Sequence, residues 1–397
     1  MHKEIIQNSL LEYSTAEAFL GLKTQNQNYE YLQTRLNSSI SYNPQIGFGY
    51  SNLSLNNNFD IILAESFYIP FIHEFDKWVE VGIAVREGLA IYIDLEDQKL
   101  GRCYLISSEG YSLYHSRDII ARFVWAGIIE AEAMLTCADN RQNHSFNQVF
   151  AVIQKIIESG FYDDQNFTYF TKEQTEHAIK VLKKQSLAHI AFGFMTLPSG
   201  PMSTRKGKIL AFDELKSELE TKAKIALESR NIEISEQKIH KICLATLKWE
   251  DLKRDRETDI VFDIEKFMSF EGNTGVYQLY TYARLRSIIN KNIPNPNLES
   301  ENHDHWSQLN IVERTLIKQT FRLPSILDQI RITYRPHFLA NHLFELATSI
   351  NSWYSKYSVN SEPDSNRKQA LLLMCNQLCK HFELCLDLLG IEVLEEL

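Results

Sequence analysis

The hydrophobic pattern of the chain changes near residue 213, and this change constrains the fold more than any other feature. Between residues 59 and 213, apolar strand-like runs at 90–95 and 133–137 alternate with helical patterns such as 147–159. Such alternation is typical of an α/β layer built on a largely parallel sheet. After residue 213, long helical periodicities dominate, and they indicate a helical bundle.

Four segments follow from these patterns. Residues 1–58 combine a short amphipathic helix with a polar stretch rich in Asn, Ser and Tyr. Residues 59–213 form the α/β layer, residues 214–296 form a helical connecting region, and residues 297–397 form the bundle. The stretch 292–297 contains two prolines and is typical of a linker. Further helices are expected at residues 214–229, 276–290, 312–321, 324–334, 336–357 and 367–389.

The composition narrows the class of protein. The 397 residues, 44% of them hydrophobic, supply enough apolar material for two or three domains. No run approaches the roughly 18 apolar residues that a membrane-spanning helix needs, and the N-terminus lacks a signal-peptide core. A cytoplasmic protein without a membrane partner is therefore expected. The cysteines lack metal-like CxxC spacing, so no metal site is predicted, and Cys375, Cys379 and Cys385 are expected to be buried thiols.

The formal net charge of −10 argues against a protein that coats nucleic acid generally, and no DNA partner is expected. Specific RNA binding requires only a local basic surface. Basic stretches occur at residues 205–208 and 253–256, and at Arg284 with Arg286. Each stretch taken alone is typical of a solvated helix face.

A glycine-flanked loop, LPSGPMSTRKGK at residues 197–208, carries hydroxyl groups and cations. Backbone N–H groups and charges in such a loop can hold a polyphosphate. The loop resembles the KMSKS loop of class I aminoacyl-tRNA synthetases, in the MSTRKG form of arginine enzymes. This resemblance implies contacts with phosphate or the tRNA end for Met202, Ser203, Thr204, Arg205, Lys206 and Lys208.

Three further strings resemble the arginyl-tRNA synthetase family, in the order that the family requires. Residues 113–119 (LYHSRDI) are similar to the segment that recognises arginine, residues 270–286 to the helix after the catalytic domain, and residues 334–346 to a helix of the anticodon-binding bundle. The resemblance covers residues 59–397. It implies an α/β fold, a partial Rossmann-like synthetase catalytic core, followed by an all-α anticodon-binding helical bundle, with tRNA as the partner.

The resemblance also implies site residues. Tyr114 and Asp118 correspond to the arginine-binding pair of the family, and one helical turn places both on one face. A carboxylate can accept a planar guanidinium group through two hydrogen bonds. Gln142 or Asn140 supplies a further polar contact. The expected tRNA-binding residues are Arg284, Arg286, Arg331, Arg335 and His337.

Two features of the family pattern are missing. Residues 1–58 contain no HIGH-type signature, and His2 is their only histidine. In the phosphate loop, Pro201 and Thr204 replace two lysines of the family pattern. We therefore expect no cofactor, no use of ATP and no adenylate formation by this chain alone.

The leading hypothesis from the sequence is an enzyme that uses preformed arginyl-tRNA as donor for amide formation, for example of an arginine-containing cyclodipeptide. The acceptor would be a second aminoacyl-tRNA or an amino acid. His144 is the first candidate for the catalytic group, followed by Ser116 and Glu65. Two alternatives stay open: a non-catalytic tRNA-binding regulatory partner, and one half of a split arginine–tRNA ligase.

Overall fold

The computed structural model describes residues 65–128, 130–197, 200–201, 212–228, 235–261, 263–292 and 303–397. The chain folds into two compact units, one ending at His189 and one beginning at Ile190. The segment 1–58, the loop residues 202–208 and residues 293–297 of the expected linker lie outside the described residues.

The first unit alternates helices with short strands. In chain order these are α1 (Glu74–Glu80), β1 (Val85–Glu87), β2 (Ala90–Asp94), β3 (Arg102–Ile106), α2 (Tyr114–Ile128), β4 (Ala133–Asp139), α3 (Asn143–Glu158), α4 (Phe161–Asp164), α5 (Lys172–Lys184) and β5 (Ser186–Phe192). Short 3-10 helices span Glu65–His73, Glu96–Gln98 and Asn140–Gln142. The strands expected at 90–95 and 133–137 and the helix expected at 147–159 are confirmed as β2, β4 and α3.

Strands β1, β2 and β3 form an antiparallel sheet in that order. The expectation of a largely parallel sheet is wrong for these strands. Only Gly88 and Leu89 separate β1 from β2, and Gly88 has a φ of +62° that suits a tight hairpin turn. A parallel pair would need a crossover of roughly a dozen residues. Strand β4 pairs with β5 in a separate two-stranded sheet.

Helix α2 runs through the core of the first unit. Its residues Ile119, Ile120, Phe123 and Val124 are all buried. The ring of Phe123 stacks on that of Phe167, with 5.1 Å between the ring centroids. A helix buried on this scale is fixed in position by its packing. The side chains of its first turns are therefore presented from a rigid support.

The second unit is dominated by helices. Its elements are β6 (Met195–Leu197), β7 (Gly200–Pro201), α6 (Phe212–Glu228), α7 (Glu236–Leu252), β8 (Ile260–Val261), α8 (Ile264–Phe267), α9 (Gly275–Asn292), α10 (Ile311–Thr320), α11 (Leu323–Thr333), α12 (His337–Tyr354) and α13 (Ser365–Leu388), with a 3-10 helix at His303–Gln308. Strand β6 pairs antiparallel with β7 and parallel with β8. The helices expected after residue 213 are confirmed, and so is the order of an α/β core followed by a helical bundle.

Helix α9 packs closely against α7 within the bundle. A Cβ atom at Gly275 would lie 2.5 Å from the backbone oxygen of Ala245. Only glycine permits such an approach without displacing the neighbouring backbone. The three cysteines of α13, Cys375, Cys379 and Cys385, are buried free thiols as expected. Across the described residues, no helix combines the length and apolarity that crossing a bilayer demands.

Candidate functional site

The first two turns of α2 carry Tyr114 and Asp118, two of the residues that the sequence assigned to arginine binding. Tyr114 is 78% exposed, and the guanidinium carbon of Arg117 lies 5.0 Å from the centre of its ring. Asp118 is half-buried one turn further along the helix. The pair thus shares one helix face, with the tyrosine towards solvent. Their role in binding arginine stays a prediction.

Two polar residues between them hold the start of α2 in place. Ser116 is fully buried, and its hydroxyl donates to the Leu113 carbonyl at 2.5 Å. The His115 ring contacts the carbonyl of Tyr104 on β3. Burial lowers the pKa of His115, while this carbonyl and the charge of Asp118 oppose the shift. Ser116, a candidate catalytic residue from the sequence, is therefore buried and bonded to the backbone at the start of α2, and its catalytic role stays a prediction.

A buried arginine that the sequence reasoning missed lies one turn beyond Asp118. Arg122 is 6% exposed, and its Nη2 donates to the hydroxyl of Thr136 on β4. Burial lowers the pKa of Arg122, whereas the charge of Asp118 favours its protonated form. Its signal in the sequence was a single cation inside the apolar run IIARFVWA at residues 119–126.

The other candidate residues follow the end of β4. Asn140 is half-buried, whereas Gln142 and His144 are exposed. Asp139 caps this turn by accepting from the Arg141 backbone N–H at 2.8 Å. Its carboxylate also pairs with the Arg141 side chain, so hydrogen bonds from Arg141 hold the pKa of Asp139 below its usual value. The hydrogen bond from Arg122 to Thr136 joins α2 to β4.

His189 on β5 is a second residue that the sequence reasoning missed. Its Nδ1 lies 2.8 Å from the Asn143 side-chain oxygen, and its Nε2 lies 3.1 Å from the Ala138 carbonyl. Both ring nitrogens therefore face hydrogen-bonding groups next to the turn that carries Asn140 and Gln142. No sequence signal could have found it, because its partners lie some 50 residues away along the chain. The side chain of Glu65 lies outside the described residues.

Two of the predicted tRNA-binding arginines are engaged within the second unit. The guanidinium carbon of Arg284 lies 4.4 Å from the ring centre of Tyr280 and 4.5 Å from that of Tyr354. Its Nη1 donates to the Asn351 side chain at 2.5 Å. Arg286 donates to the Glu395 carboxylate at 3.1 Å, and only 18% of its side chain is exposed. Both cations thus have partners within the unit, and their role in binding tRNA stays a prediction.

Arg335 and His337 lie at the start of α12. Arg335 forms ion pairs with Asp255 and with Glu257, the latter at 2.8 Å. Burial and the charge of Arg335 lower the pKa of His337. Both side chains contribute to the junction between α11 and α12.

Arg331 differs from the other predicted tRNA-binding residues. Its side chain is 76% exposed on α11, with Nε 3.8 Å from Asp328. Between α10 and α11 stands Phe321, 74% exposed, and it is flanked by the exposed cations Lys318 and Arg322. The sequence reasoning missed this aromatic residue because a lone phenylalanine beside helical runs is usually a core residue. Exposed aromatic and cationic side chains together suit unstacked RNA bases.

Comparisons with known proteins agree with an α/β core followed by a helical bundle. The family "tRNA synthetases class I (R), catalytic domain" matches residues 7–264. This match takes in most of segment 1–58, for which the sequence suggested no counterpart. The family "DALR anticodon binding domain" matches residues 278–397, a range that includes helices α10 to α13 and most of α9.

Individual relatives and solved structures are consistent with these families. An arginine–tRNA ligase from Fusobacterium nucleatum is 27% identical over 86% of this chain and 57% of its own length. One from Shewanella loihica is 30% identical over 73% of this chain and 46% of its own length. The arginyl-tRNA synthetase structure from Plasmodium falciparum superposes with a TM-score of 0.66 at 25% identity, covering 85% of this chain and 55% of that structure.

The structure of the Thermus thermophilus arginyl-tRNA synthetase gives a TM-score of 0.65 at 21% identity over 83% of this chain and 58% of its own, and this likeness concerns the fold alone. The chain spans about half the length of the relatives it matches. Because the catalytic-domain family covers more than half of the 397 residues, this chain belongs to the class I arginyl-tRNA synthetase family.

Proposed function

We propose that this chain binds tRNA through its helical bundle. The observation that carries the proposal is the match of residues 278–397 to an anticodon-binding domain, on a unit that displays Phe321 and Arg331 to solvent. Helices α10 and α11 present these two side chains from well-packed supports, since Leu316, Leu323 and Ile326 are buried beneath them. A rigid support lowers the entropic cost of binding.

The proposed contact combines stacking with charge. Phe321 offers its ring face to an unpaired base of the tRNA, and Lys318 and Arg331 contact phosphates. Base–aromatic stacking contributes roughly 1–3 kcal/mol per base. Phosphate contacts make affinity fall with salt concentration. Because the chain has a net charge of −10, it repels phosphate overall, and we expect tRNA to bind only at this local basic surface.

Fluorescence anisotropy with two labelled transcripts tests the proposal: an arginine-acceptor tRNA and a tRNA of another amino acid. We expect saturable binding of the arginine-acceptor tRNA that weakens about tenfold in Phe321→Ala. Tyr111→Ala is the matched control, because Tyr111 is a similarly exposed aromatic residue in the first unit. Equal affinity of wild type and Phe321→Ala would remove the proposed contact, and absence of saturable binding would remove the proposal itself.

A second candidate function concerns a reaction on the arginyl group, and the shared face of Tyr114 and Asp118 on α2 favours it. Family membership favours ligation of arginine to tRNA as the reaction class. Use of preformed arginyl-tRNA for amide formation is the finer proposal. It rests on the sequence departures at Pro201 and Thr204 and on the missing HIGH-type signature. The similar proteins and the matching families do not favour amide formation over ligation.

Two measurements separate these reactions. ATP–pyrophosphate exchange with arginine reports ligase chemistry, and its appearance only with a second HIGH-bearing chain would identify a split ligase. Incubation with preformed, arginine-labelled tRNA and an amino-acid acceptor reports amide formation. His144→Ala tests the proposed general base near the ester, with His177→Ala on α5 as the control. Hydrolysis of the ester at the background rate would exclude the transfer reaction.

A further inference from the structure

The fold divides the basic stretch 253–256 into two parts. Arg256 pairs with Glu257 at 3.4 Å and donates to two backbone carbonyls, so it is engaged within the second unit. Lys253 and Arg254, by contrast, line a cavity of about 350 Å³ in the same unit. Cavities of roughly 300–1,000 Å³ are the usual size of small-ligand sites. The tRNA contact proposed for the bundle does not use this cavity.

More positive than negative charge lines the cavity. Its five charged side chains are three cations and two carboxylates: Lys253, Arg254, Lys266, Glu250 and Asp263. The excess of one cation contrasts with the net charge of −10 of the whole chain. Asp251, whose charge also acts on Arg254, does not belong to the lining. The cavity therefore favours an anion over a cation.

The buried carboxylate of Glu250 orients two of these cations. Lys253 Nζ contacts Glu250 Oε1 and donates to the Asn273 carbonyl at 2.5 Å. Arg254 Nη2 donates to Glu250 Oε2 at 2.9 Å. Because two cations share one carboxylate, one positive charge of this trio has no counter-charge within it.

Arg254 keeps hydrogen-bond donors for a ligand. Within the part of the chain that the structure describes, the Glu250 carboxylate is its one hydrogen-bond partner, which leaves Nε and Nη1 free. A guanidinium group can hold a phosphate through two parallel hydrogen bonds. Lys266 is 82% exposed and pairs with Asp263 at 3.0 Å. A pair this exposed contributes little to stability, so the lysine can turn to a stronger anion.

The remaining lining is apolar. The ring centre of Phe267 lies 5.8 Å from the guanidinium carbon of Arg254 and 6.0 Å from Lys253 Nζ. Val261 on β8 supplies an exposed apolar side chain. Apolar walls reduce screening by water and strengthen the attraction between the cations and an anion. Burial lowers the pKa of Lys253, which Glu250 opposes, and a bound anion would also favour the protonated lysine.

We propose that this cavity binds a phosphate group through Arg254 and Lys266, with the more deeply buried Lys253 as the third cation. Phosphate suits three cations better than a carboxylate does, because it offers more acceptor oxygens. The phosphate can come from a free nucleotide or from an RNA backbone. The site is separate from the bundle residues proposed to contact tRNA, so either can fail alone.

Phosphorus NMR of inorganic phosphate tests the proposal, with the full chain and with ionic strength held constant by sodium chloride. We expect saturable line broadening with wild type and an affinity about tenfold weaker in Lys266→Glu. Val261→Lys adds a cation to the lining and should tighten binding about fivefold. Both positions are exposed, so both variants should keep the melting temperature of wild type.

Lys216→Glu is the matched control. Lys216 on α6 also pairs with a carboxylate of its own helix, Glu220 at 3.8 Å, but it lies outside the lining. It should bind phosphate as wild type does. Equal broadening in wild type, Lys266→Glu and Val261→Lys would overturn the proposal. An equal loss in Lys216→Glu and Lys266→Glu would also overturn it, because it would show a general effect of charge.

Two competitors separate the sources of the phosphate. Displacement of inorganic phosphate by adenosine monophosphate and not by a short RNA duplex identifies a nucleotide site, and displacement by the duplex identifies an RNA backbone. Displacement by neither would overturn the assignment to phosphate esters. Repeating the RNA measurement in Phe321→Ala distinguishes the cavity from the bundle, since loss of the bundle contact should leave displacement from the cavity unchanged.

Discussion

Arg367 holds the fully buried carboxylate of Glu313 with both terminal nitrogens, Nη2 to Oε1 at 2.8 Å and Nη1 to Oε2 at 3.2 Å. The same carboxylate accepts from the backbone N–H of Asn310 at 2.7 Å and from Trp353 Nε1 at 3.4 Å. One acidic side chain therefore joins α10, α12 and α13. Charge-assisted, two-point contacts of this kind are the strong ones among hydrogen bonds.

Glu313→Gln should lower the free energy of unfolding by about 2 kcal/mol, because it removes the buried one of the two carboxylates that pair with Arg367, the other being Glu362. The matched control is Glu345→Gln. Glu345 pairs with Arg322 at 3.1 Å, but both side chains are exposed, so its loss should cost less than about 0.5 kcal/mol. Urea denaturation measures both values. Equal losses would mean that the buried pair contributes no more than a surface pair.

Tyr162→Phe should destabilise the first unit by about 3 kcal/mol. The Tyr162 hydroxyl donates to the buried Glu74 carboxylate at 2.7 Å and accepts from Trp78 Nε1 at 2.9 Å. Removing it leaves a buried donor and a buried acceptor unsatisfied. Unfolding followed by tryptophan fluorescence gives the loss, with exposed Tyr111→Phe as the control. If Tyr162→Phe lowered the free energy of unfolding by no more than Tyr111→Phe does, the result would contradict the buried network.

Acid should destabilise the bundle through His381. His381 lies 3.0 Å from His342 Nε2 and 3.5 Å from Cys385 Sγ, and burial lowers its pKa from 6.5 to about 4. The unfolded chain binds a proton at this residue below about pH 6.5, whereas the folded chain does so only near pH 4. The stabilisation is therefore complete above pH 6.5 and is lost as the pH falls towards 4.

Between pH 7 and pH 5 the expected loss is about 2 kcal/mol. His381→Gln keeps hydrogen-bonding groups but does not titrate, so its unfolding free energy should fall less over this interval than that of wild type. His240→Gln on α7, at an exposed position, should follow wild type. Parallel pH profiles of wild type and His381→Gln would show that His381 stays accessible to protons in the folded state.

Arg284 and Arg331 should respond differently to substitution. Arg331→Ala removes an exposed cation, so tRNA affinity should weaken several-fold without a change in melting temperature. The slope of log affinity against log salt concentration should decrease in magnitude by about 1. Arg284→Ala removes a cation held between Tyr280 and Tyr354, so it should cost about 2 kcal/mol of stability. Weaker tRNA binding by Arg284→Ala together with unchanged binding by Arg331→Ala would contradict the proposed contact.

The sequence predicts the helices well because their signals are local. Asp364 stands before the run that becomes α13 and caps it by accepting from the Asn366 and Arg367 backbone N–H groups. The antiparallel arrangement of β1 and β2 also had a local signal, the two residues Gly88 and Leu89 between the strands. The prediction of a parallel sheet gave more importance to the alternation of elements than to the length of this connection.

Partners of charged residues could not be predicted in the same way. Arg284 and Arg286 look like free cations in the sequence, but Asn351 lies 67 residues from the first and Glu395 lies 109 residues from the second. Only the fold brings these pairs together. Charge alone therefore cannot separate cations that have partners in the fold from cations that are exposed, and it does not indicate Arg122, whose buried position depends on tertiary packing.

The junction of α11 and α12 carries the string Tyr334-Arg335-Pro336, one of the family signatures in this chain. Tyr334 adopts a left-handed φ of +53° and its carbonyl accepts from Arg256 Nε at 3.3 Å, while Pro336 is the N-cap residue of α12. These residues set the direction in which the chain leaves one helix and begins the next. A signature of this kind would persist in a relative that has lost its RNA ligand, so it identifies ancestry without guaranteeing activity.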